Sequence, residues 1–170
     1  MIEARVQDLT RQGIPLGQWP QHAHWDWEMK AVHVAGLLAY QILGIECERE
    51  MQGLMLAATV GKSCRIPAQL GKPIVYVHFL ATAPWNDRDF IPEPLYGGVG
   101  KIFLAAAIQI SIDNGFKGRI GLHSLPQDDA FYTGCGMTDL GQDSSPGAQN
   151  LRYFEMTPDQ AHVFIGRGQT

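Results

Sequence analysis

The sequence is poor in the features that would announce several classes of protein. It has only three cysteines in 170 residues, Cys47, Cys64 and Cys135. An odd number with no Cys-x-x-Cys pair argues against a disulfide framework and a cysteine zinc site, and a reducing cytoplasm is the expected home. No run approaches the roughly 18 to 20 uninterrupted apolar residues that a bilayer span requires, because His33 and Gln41 break the most apolar N-terminal stretch. The first eight residues contain no basic segment followed by an apolar core, so no secretory signal is expected. Positive charge is also in deficit: 13 Lys plus Arg stand against 17 Asp plus Glu, a net charge of −4, without a basic cluster. Such a chain lacks the electrostatic footprint of a phosphate-neutralising binder, so neither nucleic acid nor membrane is an expected partner. No repeat, charge block or long Ser/Gly linker divides it. One domain spanning residues 1–170 is expected, large enough to bury roughly 70% of its unfolded surface.

Glycine, by contrast, is abundant, with 19 residues. Several of them punctuate a readable succession of elements. Residues 1–20 suggest a short helix and an irregular approach, and Trp27, Ala31 and Val34 give helical spacing over 24–35 with Asp26 and Glu28 at the start. Residues 37–47 and 51–60 flank a charged Glu48-Arg49-Glu50 turn and read as a hairpin. Residues 74–82, rich in β-branched and aromatic side chains and closed by Pro84, make the clearest strand. An irregular segment then leads to Gly97-Gly98-Val99-Gly100 and a long apolar helix that stops near Asn114-Gly115. Residues 118–124 alternate like a strand, and strand, glycine loop, helix, strand implies a parallel crossover. A helix is expected from Pro126, and residues 151–155 and 161–165 look like two short strands around a Thr157-Pro158-Asp159 turn. The class is mixed α/β with antiparallel hairpins flanking one parallel pair.

A glycine loop at the start of a buried helix offers unpaired N–H groups and a positive dipole end, which together suit an anion. A Walker A loop is excluded by Leu95 and Ile102 around Gly100-Lys101, and the dinucleotide fingerprint by Phe103 where its third glycine belongs. Thr82-Ala83-Pro84, then Gly98-Val99-Gly100 at a helix start, then a strand, then Tyr132 followed by Gly136-Met137, together resemble the GCN5-related N-acetyltransferase superfamily over about residues 36–140. Gly53 in the second arm of the hairpin fits the same pattern. The resemblance implies a mixed, mostly antiparallel sheet with one parallel strand pair and helices on both faces. It also implies acetyl-coenzyme A as cosubstrate, without a metal, and direct transfer of an acetyl group to a primary amine in a ternary complex. Its pyrophosphate would lie on Gly97, Gly98, Val99, Gly100 and Lys101, and its thioester carbonyl on the backbone of Leu80, Ala81 and Thr82. The sequence departs from the family where Leu95 replaces the motif Arg or Gln, which leaves Lys101 or Arg88 to supply charge. The link from Pro84 to Gly100 is longer than usual, and Ser124-Leu125-Pro126 replaces a common asparagine.

The resemblance places Tyr132 where the family tyrosine protonates the departing thiolate, a role for which a phenol pKa near 10 is suited. His78 is the leading base: period-two alternation puts it on one face with Tyr76 and Leu80, and an imidazole titrates near neutrality. Glu46, Asp87 and Glu93 are fallback bases. Tyr76, Trp85 and Asp87 are candidates for the acceptor site. Trp25 and Trp27 could join them as ring faces for a cationic amine, with Asp26 and Glu28 adding negative charge. His22-x-His24 has no third ligand at a recognisable interval, and Cys135 has no adjacent base, so neither suggests a metal or a nucleophile. The acceptor itself, a small molecule or a peptide amine, is not specified, and a homodimer is compatible with the family. The competing reading is a catalytically inactive acyl-coenzyme A sensor or interaction module with the same fold, kept open by Leu95.

Overall fold

The computed structural model describes Arg11 and residues 25–87 and 93–168. The expected helix at 1–20 and His22-x-His24 therefore lie outside the described residues, as does Arg88. Asp26 caps helix α1 (Trp27–Val34), its Oδ1 accepting the Met29 N–H at 2.8 Å. The hairpin follows as β1 (Tyr40–Cys47) and β2 (Glu50–Ala58), paired antiparallel. Its turn places Glu48 and Arg49 at φ 54° and 66°. Strand β3 (Val75–Thr82) leads through the turn Pro84–Asn86 towards helix α2 (Val99–Asp113). Then come β4 (Ile120–Ser124), helix α3 (Asp129–Gly134), β5 (Thr138–Gln142), β6 (Arg152–Met156) and helix α4 (Pro158–Arg167).

The six strands form one sheet in the order β1-β2-β3-β4-β6-β5. Every pairing is antiparallel except β3 with β4. The long helix α2 is the crossover that a parallel pair requires. It lies against one face of the sheet, where Phe103, Leu104 and Ile108 meet Met55, Val77, Ile120 and Phe154, all essentially buried. Each such side chain contributes about 1.5–3 kcal/mol by leaving water. Ala161 of α4 joins the same core. Helix α1 buries none of its residues and lies over the opposite face, with the Lys30 ammonium above the Phe79 ring. Helices on both faces of a mostly antiparallel sheet match the expected architecture.

Two elements differ from the sequence expectation. Residues 161–165 are helical, because Thr157 and Gln160 form a reciprocal capping box and Pro158 occupies the first turn. A short apolar run has no period of its own strong enough to distinguish strand from helix, and the cap decides. Strand β5 was not expected: Thr138–Gln142 is polar, carries Gly141 at φ 81° and pairs with β6 through an irregular register.

Gly53 fixes how closely α2 approaches the hairpin. A Cβ there would stand 2.7 Å from the Ala81 carbonyl oxygen and 2.8 Å from Phe103 Cε2. Backbone on one side and a buried ring on the other leave no soft direction. Gly53→Ala is expected to destabilise the fold by about 1–3 kcal/mol, seen as a lower denaturant midpoint with an unchanged slope. An unchanged midpoint would show that α2 is not seated this tightly.

Candidate functional site

The parallel pairing of β3 and β4 covers only Val75 with Ile120, Tyr76 with Gly121 and Val77 with Leu122. Beyond it β3 continues to Thr82 on β2, and β4 continues to Ser124 on β6. The two strands therefore part in the middle of the sheet, with the backbone of residues 78–82 along one side of the gap. The parting begins at a bulge. Leu56 stands opposite Phe79 and Ala57 opposite Val77, leaving His78 without a partner on β2.

The bulge corrects the expected alternation. Before it, Val75 and Val77 face α2; after it, Leu80 faces α2 through its pairing with Met55. Phe79, not Leu80, thus joins Tyr76 and His78 on the opposite face. One extra residue inverts the parity of every position that follows.

On that opposite face lies a cavity of about 960 Å³, whose wall includes Trp25, Lys30, Lys62, Tyr76, His78, Phe79 and His123. His78 meets the Tyr76 ring edge-on at 4.7 Å between centroids and lies 5.7 Å from the Tyr40 ring. Its Nε2 is buried without a hydrogen-bond partner. Burial, aided by the nearby Lys62 charge, lowers the pKa of His78. The imidazole is accordingly neutral at pH 7 and able to accept a proton.

Beside it runs a polar chain that periodicity alone does not reveal. Tyr76 Oη lies 2.5 Å from His123 Nδ1, and His123 Nε2 lies 2.8 Å from Asp143 Oδ2. Asp143 also accepts from Arg65 at 2.6 Å and from the Ser145 hydroxyl and N–H. Hydrogen bonds from Ser145 and then Arg65 hold its carboxyl well below the usual carboxylate range. An ionised Asp143 only accepts, so the neutral His123 donates through Nε2 and receives the Tyr76 O–H at Nδ1. Burial raises the Tyr76 phenol to about 12 and lowers His123, with Asp143 opposing the latter shift. Tyr76 thus remains a phenol, oriented from behind by His123 and Asp143. Period-two alternation on β4 could have flagged His123. Nothing local flagged Asp143, which lies beyond β5.

The loop carrying Lys62 and Arg65 is held by a buried carboxyl group. Glu155 of β6, fully buried, accepts from the N–H groups of Arg65 at 2.7 Å and Ile66 at 3.1 Å, and from Gln69 Nε2 at 2.7 Å. The Arg65 guanidinium stacks 4.3 Å above the Tyr153 ring. Lys62 projects from this anchored segment, its ammonium 5.4 Å from the centre of the Tyr76 ring.

At the start of α2, Gly98 adopts φ 80°, a left-handed conformation natural to glycine, and serves as the N-cap without a capping side chain. Built Cβ atoms at Gly97 and Gly98 would meet nothing within 4 Å, so the loop stands open to a ligand. The N–H groups of the first turn have no intrahelical acceptors, and Lys101 is exposed beside them. Gly100 serves packing instead, since a Cβ there would lie 2.9 Å from Phe131 Cζ and its bareness lets α3 sit on α2. Val99 points into the core, and Leu95 is exposed. An open glycine loop, a cation and a gap between strands fit the anionic and extended parts of coenzyme A.

The other predicted residues lie elsewhere. Tyr132 is buried on the α2 face, edge-on to Phe131 and tilted on Phe154, and burial followed by Asp128 pushes its phenol pKa upwards. Trp85 does not line the cavity: it is buried and donates to Gln52 Oε1 at 2.9 Å, which also receives Asn86 Nδ2 at 2.8 Å. This places Trp85 in the fastening of the turn after β3 to β2. Asp87 follows on that connection, and Asp87, Glu46 and Glu93 are absent from the cavity wall. Trp25 is on the wall, with Trp27 and Phe79 packed against it at 6.2 and 4.9 Å. Cys135 is packed in the core beside Tyr132. Among the described residues no group of three or more His, Cys, Asp or Glu is arranged to hold a metal, and no helix is long and apolar enough to cross a membrane.

No protein-family model and no curated protein matches the sequence. Solved structures do match the fold. FeeM, an N-acyl amino acid synthase from uncultured soil microbes, is 13% identical with a TM-score of 0.56, over 92% of this chain and 84% of its own. A tetramutant of the BH1408 protein from Bacillus halodurans is 18% identical with a TM-score of 0.52, over 85% of each chain. The PaiA N-acetyltransferase from Thermoplasma acidophilum, solved with coenzyme A, is 16% identical with a TM-score of 0.51, over 76% of this chain and 67% of its own. With its parted parallel strands, glycine-capped crossover helix and flanking antiparallel strands, this chain has the fold of the GCN5-related N-acetyltransferase superfamily.

Proposed function

We propose that the protein is an acetyl-coenzyme A-dependent N-acetyltransferase acting on a primary amine. The observation that carries this reading is the parting of β3 and β4 after Val77 and Leu122, with His78 on the cavity face of the sheet and Tyr132 in the core on the α2 face. When bound, acetyl-coenzyme A supplies a thioester carbonyl and a leaving thiolate. The α2 N-terminus and Lys101 hold negative charge at the mouth of the gap, and the free edge of β3 offers backbone donors to a carbonyl oxygen. His78 Nε2 takes the proton that the amine loses as its nitrogen bonds to the acetyl carbon. Tyr132, kept protonated by burial, delivers a proton to the sulfur as the carbon–sulfur bond breaks. A donor and an acceptor of protons on opposite faces prevent the two transfers from competing for one group.

Leu95 favours a second reading, coenzyme binding without transfer, because it offers no hydrogen-bond donor to phosphate where the motif has Arg or Gln. Titration calorimetry with acetyl-coenzyme A, beside a thiol-release assay over a panel of amines, separates the two. Binding with turnover supports the transferase; binding with no turnover supports the sensor; no binding removes both.

Lys101→Glu is expected to weaken acetyl-coenzyme A binding about tenfold, the scale of one first-turn charge interaction reversed. An acid in the first turn suits the helix dipole, so thermal stability should not fall with it, which isolates binding from folding. Tyr132→Phe should lower kcat by about 10²-fold with little change in coenzyme affinity, the usual scale of a lost proton donor; an unaltered kcat would remove Tyr132 from the reaction. The acid limb of kcat/KM should lie below the ordinary imidazole value of 6.5, because the His78 pKa is lowered and activity is lost as pH falls through it. His78→Gln should remove most activity and flatten that limb, whereas a limb that persists at full rate would assign the base elsewhere.

A further inference from the structure

Resting on the transferase reading, the cavity also specifies its acceptor: we infer that the amine belongs to a free α-amino acid with an apolar side chain, whose carboxylate is held by Lys62. The charge inventory of the wall points this way. Lys30 is engaged, its ammonium 3.6 Å from the centre of the Phe79 ring, with Asp26 nearby adding a compensating negative charge. Lys62 has no carboxylate within ion-pair distance among the described residues, and Asp143, which bonds His123, is itself committed to Arg65 and His123. A cation on an anchored loop, on a wall where Asp26 already lies near Lys30, is complementary to an anion. Among the described residues the wall carries Lys30 and Lys62 against the one carboxylate of Asp26, so the net −4 charge of the chain is not concentrated here, which disfavours a cationic polyamine.

Spacing admits the same class. Both the Lys62 ammonium and the His78 ring are measured against Tyr76, at 5.4 and 4.7 Å, so they lie at most about 10 Å apart. An α-amino acid bridging them through two hydrogen bonds of about 3 Å covers roughly 9 Å. Its amine meets the unpartnered Nε2 of His78, and a buried nitrogen without a partner gains most from receiving one. The substituent on its α-carbon is left to Trp25, Met29, Val34, Leu56 and Leu125, an apolar wall with room for an aromatic or branched side chain.

The test compares phenylalanine, phenylalaninamide, phenethylamine and spermidine in the thiol-release assay, with the wild type, Lys62→Gln and Lys62→Arg. Phenylalanine should exceed phenylalaninamide and phenethylamine by about tenfold or more in kcat/KM, the scale of one charge-assisted contact. Lys62→Gln should reduce that preference to near unity mainly through KM, and Lys62→Arg should retain it. Preference for spermidine or phenethylamine, or a carboxylate preference untouched in Lys62→Gln, overturns the inference while leaving the transferase intact. Binding provides a readout independent of turnover: phenylalanine should change the fluorescence of Trp25 in the wild type and not in Trp25→Phe, with affinity lost in Lys62→Gln. Turnover absent with every amine, together with this Lys62-dependent binding, would overturn the transferase and keep the amino-acid site; no phenylalanine binding overturns the site.

Discussion

The separation of two parallel strands determines what this molecule can do. A β-sheet ordinarily satisfies its backbone by continuous pairing, and an interruption in the middle of a sheet leaves donors and acceptors that need another partner. Here the interruption follows Val77 and Leu122, where each strand remains held on its outer side, β3 by β2 and β4 by β6. The gap is thus a fixed opening between two supported walls, not a loose edge. The tight seat of α2 at Gly53 and the close contact of Gly100 with Phe131 hold the crossover helix firmly against β2, β3 and α3.

The same geometry divides the chemistry by face. The α2 side is an apolar core in which Tyr132 packs between rings, and burial, followed by the charge of Asp128, favours its protonated form. The other side is a cavity where His78, Tyr76 and His123 are close but not equivalent. His123 is occupied at both nitrogens, whereas His78 Nε2 has nothing to bind. Of two neighbouring imidazoles, one therefore orients a phenol and the other keeps a nitrogen without a partner. Glu155, buried on β6, fixes the loop that carries Arg65 to Asp143 and Lys62 to the cavity.

Much of this was legible in the sequence. The β-branched run ending at Pro84, the apolar helix after Gly98 and the alternation at 118–124 are strong local signals, and together they require a parallel crossover. The resemblance carried by Gly98, Gly100, Tyr132 and Gly136 agrees with the fold. What local reading lost depends on contacts between distant segments. Trp85 looked like a pocket wall because its exposure cannot be read from its neighbours; its partner Gln52 is 33 residues away. Asp143 reaches His123 across 20 residues and Arg65 across 78. Helix α4 was missed for a different reason, since Thr157 and Gln160 state the cap in the sequence but the short apolar run after them suggested a strand.

His78 illustrates how a correct residue can be reached through an incomplete argument. Strict alternation placed it with Tyr76 and Leu80, yet two residues of the same parity on β3 end on opposite faces. The difference is the bulge, which makes His78 the extra residue and transfers Phe79 to the cavity side. Without the bulge, Phe79 would face α2 and the ring supporting Lys30 and Trp25 would be missing from the wall. A single inserted position thereby does two jobs. It ends the regular pairing where the strands begin to part, and it brings an imidazole and an aromatic ring to the same side of the opening. The site is a consequence of irregular backbone, which is why periodicity could identify its residues without arranging them.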